Sequence, residues 1–263
     1  MKKKNRPKFD AIFQQGLYHI EHNTLCHDRA IAVQDGDLTI LTLADGMGAE
    51  QYRCPDIGAQ FAVIYVRDHA HEIYDLLKYS RSDEEKKLKW ETGKGDKLFK
   101  KDLIEILRRM EDEAIVLAKQ IGVKIDDMNC TLSFAVIGPE KTIQVAIGDS
   151  PIYVQTKDEL NFVYGNGTME IDKGTLSAYH MDYSRWGMDI QVGFTDDLES
   201  ILIMSDGCLG YHKAEELKEL SKHLPYWFDD IADGEATKEE AIQSLVNLGY
   251  DDCSFAYYLN DPK

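Results

Sequence analysis

The chain has 263 residues, and its 47 acidic against 30 basic side chains leave a formal net charge of −17, which argues against nucleic acid or an anionic membrane surface as a partner. Hydrophobic residues make up 43% of it, ample for a substantial core. No run approaches the ~20 apolar residues of a membrane span, and the basic segment 1–9 leads into no apolar stretch of the kind that marks a secretory leader, so the cytoplasm is the expected location.

In chain order, residues 1–13 read as a loose basic tail and 14–263 as a single domain. Residues 16–20, 30–33 and 38–43 read as short strands, the last two joined at Asp35-Gly36-Asp37 as a hairpin. Pro55 suits a first helical turn. The helix it opens runs to residue 77, with Ala59, Ala62, Val63, Val66, Ala70, Ile73 and Leu77 on one face. Residues 78–101, charged, broken by Gly93 and Gly95 and holding Trp90, read as a solvated connection. A second helix covers 97–121, striped by Leu103, Ile106, Leu107, Met110, Ala114 and Leu117 and capped by Gly122.

Strands follow at 131–137 and 142–147, then a hairpin at 152–155 and 160–164. Residues 165–199, which include Trp186, read as a long irregular loop, a feature that in a compact domain points to function. An apolar strand at 201–204 precedes a helix at 214–222, a short segment with Trp227, and a helix opened by the capping box Thr237-Lys238-Glu239-Glu240 and closed at Gly249. The last strand is 253–259. Long helices between blocks of short antiparallel strands make a layered α/β protein. Five scattered cysteines, with no Cys-x-x-Cys pair, read as reduced side chains, several of them in the core, rather than as a disulfide framework or a zinc ribbon.

Three strand ends carry aspartate. The apolar run 41–44 stops at Asp45-Gly46-Met47-Gly48, the run 201–204 stops at Ser205-Asp206-Gly207, and Asp251-Asp252-Cys253-Ser254 opens the last strand. Brought together, these carboxylates would repel and raise one another's pKa, and a bound divalent cation is the simplest remedy. Carboxylates beside the bare Gly46 carbonyl are hard oxygen donors, suited to Mg²⁺ or Mn²⁺ rather than zinc.

With Gly148-Asp149-Ser150 between them, these motifs resemble, in order and spacing, those of the metal-dependent protein phosphatase 2C family, over residues 16–259. The departures below point to its divergent bacterial-type branch. The resemblance implies a central antiparallel β-sandwich flanked by helices on both sides, with metals at one end. It implies a Mn²⁺- or Mg²⁺-dependent serine/threonine phosphoprotein phosphatase with two or three ions, in which metal-activated water attacks the phosphomonoester. Carried over by position, Asp45 bridges two ions, the Gly46 carbonyl binds one, and Asp206 and Asp251 hold the other. Asp126 is the candidate third-ion ligand, with Asp127 as its rival. Asp28 and Asp252 stand behind the ligands, and Asp149 is assigned to a structural turn. The implied partner is a phosphorylated protein opposing a Ser/Thr kinase, with no nucleic acid and no membrane.

The chain departs from the family where substrate is gripped. Many members carry Arg on the early strand, where the register here gives Asn23, and Arg29 would point to the opposite face. His27 replaces an acidic residue, Met47 stands where some members have His, and Pro151 follows Gly148-Asp149-Ser150. His22 and His27 are the candidate phosphate contacts. These losses motivate one alternative, a catalytically weak pseudophosphatase used as a binding or scaffold module. A second alternative keeps the chemistry but acts on a small phosphorylated molecule.

Overall fold

The strand Leu38–Ala44 (β3) is buried at all seven positions, as a strand is when both faces of its sheet are covered. The computed structural model describes residues 8–49, 51–78, 97–165, 178–179, 188–208 and 251–260. Alternate side chains of β3 enter different layers. Leu41 and Leu43 pack with Ala135, Ala146, Ile201, Ile203 and Ala256, while Leu38, Ile40 and Ala44 belong to a cluster with Ala59, Val63 and Leu107 of the helices.

The first layer lies between two five-stranded antiparallel sheets. One has the order β2 (Arg29–Asp35), β3, β4 (Leu132–Ile137), β5 (Lys141–Ile147), β8 (Met188–Phe194). The other has the order β1 (Lys8–Gln14), β10 (Cys253–Leu259), β9 (Leu198–Met204), β6 (Ile152–Thr156), β7 (Leu160–Val163). The β2–β3 hairpin turns at Gly36, whose φ of 60° lies in the left-handed region that glycine enters freely.

Helices α2 (Pro55–Asp68), α3 (Ala70–Asp75) and α4 (Lys97–Ile121) cover the outer face of the first sheet. The stripe expected on residues 55–77 is buried throughout, and so is that of α4 except for the partly buried Leu117. The expected single helix at 55–77 is broken at His69, where φ is −107°, and the chain resumes as α3 and a 3-10 turn, Leu76–Lys78. The His69 ring stacks on Tyr65 there, its Nδ1 2.9 Å from the Tyr65 carbonyl oxygen.

Three expectations are corrected. Residues 8–13 are not a loose tail: they lie in β1, paired with β10 from Lys8↔Leu259 to Gln14↔Cys253, with Phe9 and Ala11 against the inter-sheet core. Residues 16–20 are not a strand but lead into helix α1 (Leu17–Glu21), whose apolar Leu17 and Ile20 are exposed, so the hydrophobic run had no sheet to enter. Within 165–199, Met188–Phe194 is the half-buried edge strand β8, in which Met188, Ile190, Val192 and Phe194 alternate with Asp189, Gln191 and Gly193, a period-two strand signal that the loop reading passed over.

The cysteines need correction too. Cys208 and Cys253 form a disulfide with Cα atoms 4.8 Å apart, because the end of β9 lies beside the start of β10. Cys26, Cys54 and Cys130 are free thiols. The segment with Trp90, most of the loop with Trp186, the helices expected at 214–222 and before Gly249, and Trp227 lie outside the described residues. Helices are therefore described on one side of the sandwich. Among the described residues no helix is long and apolar enough to cross a membrane.

Candidate metal centre

Antiparallel register brings the motifs together. Ala44 pairs with Arg29, so Asp45 leaves β3 at the sheet end where Asp28 enters β2. Met204 pairs with Phe255, so Ser205 and Asp206 leave β9 beside Asp251, Asp252 and Ser254. Between β5 and β6 the chain crosses from one sheet to the other through Gly148-Asp149-Ser150 at the same end.

Hydrogen bonds lock the two sheets at this rim. The Asp45 N–H donates to Thr131 Oγ1 at 3.0 Å, and Thr131 Oγ1 lies 2.9 Å from Ser150 Oγ. Ser254 Oγ donates to Asp28 Oδ2 at 2.7 Å, while the Ser254 N–H donates to Ser205 Oγ at 2.9 Å. Glycine permits the close approach: a Cβ on Gly207 would lie 1.7 Å from the Asp252 carbonyl oxygen.

The carboxylates strain against one another. Burial, then the charges of Asp28, Asp206, Asp149 and Asp251, push Asp45 well above the usual carboxylate range. Burial also raises Asp206, with a charge contribution from Asp251, while a side-chain hydrogen bond with Asp45 pulls the other way. A hydrogen bond between two carboxyl groups needs a proton between them, the expected response to buried like charge. Burial lifts Asp28 to about 7, against hydrogen bonds from Ser254 and Ser205. Burial and Asp206 lift Asp149 to about 7 as well. The donors are hard oxygens in a partly dry, negative setting, and they fit a divalent cation of the Mg²⁺ or Mn²⁺ type.

Not every predicted residue lies in this cluster. Asp45, Asp206, Asp251 and Asp28 are within electrostatic reach of one another, with Asp251 exposed at the rim. They do not close into a tight triple. Among the described residues, the one set of three donor side chains within 4.8 Å of each other is His19, His27 and Asp252. Asp252 is buried and accepts main-chain N–H bonds from Gly16 at 2.7 Å and His27 at 2.5 Å, which ties it to the segment 16–27 rather than to the acidic cluster around Asp45. Asp126 is exposed on the 3-10 turn Ile125–Met128 and is not among the groups that press hardest on Asp45. Asp127 is engaged by Arg53 at 2.6 Å and by the Lys124 N–H at 2.9 Å, and the Arg53 guanidinium holds its pKa down.

The phosphate candidates separate. His22 is exposed at the end of α1, its Nδ1 2.8 Å from the Tyr18 carbonyl oxygen. His27 lies at the rim, with burial and His19 lowering its pKa. Asn23 is not on a strand but in the turn after α1, at a φ of 53°. Arg29 donates from Nη1 to the carbonyls of Cys26 and Asp28, and its guanidinium sits 5.2 Å from the centre of the Phe13 ring. Sequence reasoning set Asp149 aside as a turn residue. Its approach to Asp206 follows from the change of sheet between β5 and β6, which no local sequence signal marks.

Comparison with known proteins places this geometry. A family model described as Protein phosphatase 2C matches residues 15–248. No curated protein matches the sequence. Among solved structures, the serine/threonine phosphatase Stp1 from Staphylococcus aureus superposes with a TM-score of 0.61 at 14% identity, over 100% of this chain and 98% of that one. The S. agalactiae serine/threonine phosphatase gives 0.60 at 14% identity, over 97% and 99%. RsbX in complex with magnesium gives 0.55 at 14% identity, over 98% and 97%. At these identities the structures establish a shared fold.

Proposed function

The chain belongs to the protein phosphatase 2C family of metal-dependent protein phosphatases, and from that premise we propose that it hydrolyses phosphoserine and phosphothreonine in a protein substrate at the Asp45 rim. The observation that carries this reading is the meeting at one rim, from both sheets, of the strand ends that bear Asp28, Asp45, Asp149, Asp206 and Asp251. A surface without a cation has no use for so much buried like charge. That favours catalysis over the scaffold alternative.

Asp45, the Gly46 carbonyl, Asp206 and Asp251 would hold two Mn²⁺ or Mg²⁺ ions, and Asp126 would serve only a third. When bound, such ions lower the pKa of coordinated water and neutralise charge on a phosphoryl group. The protein supplies the rest. Ser254 and Ser205 orient Asp28 behind the ligands. The main-chain N–H groups of Gly16 and His27 fix Asp252 and so hold the start of β10 in place beside Asp251. Of the two histidine candidates for a substrate oxygen, His27 feels the charge of Asp251 and His22 is exposed at the end of α1, which favours His27. The working unit is one domain in the cytoplasm, opposing a Ser/Thr kinase.

The test is hydrolysis of an aryl phosphate and a phosphothreonine peptide, with and without Mn²⁺, by wild type and Asp45→Asn. Mn²⁺-dependent turnover should fall about 100-fold or more in the variant, several kcal/mol of transition-state stabilisation. Turnover without metal, or full activity in Asp45→Asn, would falsify the assignment. Competition by a small phosphometabolite that outruns the peptide would move the substrate class and leave the centre intact.

A further inference from the structure

We infer that His19, His27 and Asp252 form a second cation site, separate from the acidic centre and suited to zinc or a zinc-like transition metal. One donor atom from each lies within 4.8 Å of the others. The three come from separate places: His19 from α1, His27 from the segment before β2, and Asp252 from the start of β10. His19 and Asp252 are 2% and 3% exposed.

The second observation is a pair of buried ring nitrogens that make no hydrogen bond. Nδ1 of His19 and Nδ1 of His27 are both buried without a hydrogen-bond partner. His19 Nδ1 comes within 2.7 Å of Asp252 Oδ2, yet the approach lacks hydrogen-bond geometry and leaves that nitrogen unsatisfied. The two rings lie with centroids 4.2 Å apart. A buried polar nitrogen with no partner is costly. A cation held among the three side chains would give each of them a partner.

The carboxylate is already oriented. Gly16 N–H donates to Asp252 Oδ1 and His27 N–H to Oδ2, the kind of support that fixes a metal-ligating carboxylate. Two imidazole nitrogens and one carboxylate oxygen are a borderline donor set that favours Zn²⁺ over Mg²⁺. The acidic centre, all oxygen, has the opposite preference. His27 is only half-buried, so an ion can enter from its side and keep a position for water. An ion here would tie the segment 16–27 to Asp252, the neighbour of Asp251.

The inference is read by metal binding and stands whether or not the chain is a phosphatase. Zinc, or Co²⁺ as its spectroscopic stand-in, is titrated into metal-free Asp45→Asn protein, in which the acidic centre is impaired. One equivalent should bind as tightly as in wild type, with the visible absorption of a four-coordinate Co²⁺. His19→Gln and His27→Gln, each checked for folding by circular dichroism, should lower that affinity by more than about tenfold. Unchanged affinity in both folded variants overturns the site. So does loss of the zinc equivalent in Asp45→Asn itself, which would place the ion in the acidic centre. X-ray absorption of zinc-loaded Asp45→Asn needs no histidine variant: two imidazole ligands are expected, and an all-oxygen shell overturns the inference.

Discussion

Ser254 Oγ donates to Asp28 Oδ2 at 2.7 Å, bonding the start of the last strand to the residue that precedes β2. Both side chains are buried, so the bond has no competitor in water. It couples the two sheets at the end where the carboxylates gather. Ser254→Ala should therefore cost about 1–3 kcal/mol, since a buried carboxyl group loses a donor. Urea unfolding of the metal-free protein measures it, and an unmoved midpoint would show the bond to be incidental.

The same crowding sets a pH dependence. Asp28 and Asp149 are raised from 3.8 to about 7 in the folded chain, by burial first and then by neighbouring charge. Between those values the folded state holds protons that the unfolded state has released, so stability declines as pH rises. Below about pH 4 both states are protonated at these groups and the contribution is flat. Metal-free protein should melt at a higher temperature near pH 5 than near pH 8. Saturating Mn²⁺ should narrow the gap, because it binds the ionised carboxylates. Thermal melts with chelator and with Mn²⁺ decide this; a chelated protein whose melting temperature climbs from pH 5 to 8 contradicts the cluster.

Two glycines of one motif should behave differently. A Cβ on Gly46 would sit 2.8 Å from the His27 carbonyl oxygen and 3.0 Å from Pro55 Cβ, whereas one on Gly48 meets nothing within 4 Å. Gly46→Ala should cost about 1–3 kcal/mol through overpacking, and weaken metal binding because the Gly46 carbonyl must shift. Gly48→Ala should stay within about 0.5 kcal/mol of the parent. Equal stability and equal Mn²⁺ affinity in the two variants would remove the steric argument.

The Cys208–Cys253 bond can be checked directly by mass spectrometry of unreduced peptides. It closes a loop of 45 residues, for which chain entropy alone gives about 4 kcal/mol. Oxidised protein should melt above the dithiothreitol-treated protein and above Cys208→Ser. Melting temperatures that coincide would mean that the bond constrains nothing in the unfolded chain.

Much of the fold was legible because its signals are local. The stripe of α4 and the apolar runs of β3, β4, β5 and β10 each carry their periodicity within a few turns or residues, and their observed bounds lie close to those expected. The failures have different causes. For β1, an edge strand, and for the exposed Leu17 and Ile20 of α1, the environment and not the hydrophobic pattern decided the state, whereas β8 does carry an alternating pattern that the surrounding irregular segment obscured. The pairing of Cys208 with Cys253 depends on β9 lying beside β10, which no spacing reveals.

By itself the sequence determined where carboxylates stand on strand ends, since an apolar run that stops at Asp-Gly is a local statement about a strand and its turn. Only the tertiary structure decided which of them meet. It drew Asp149 in with Asp45 and Asp206, gave Asp127 to Arg53, and set His19 and His27 against Asp252. The reason is that side-chain proximity across two sheets depends on register and on which strand ends share a rim, and those follow from packing of the whole chain rather than from any stretch of it.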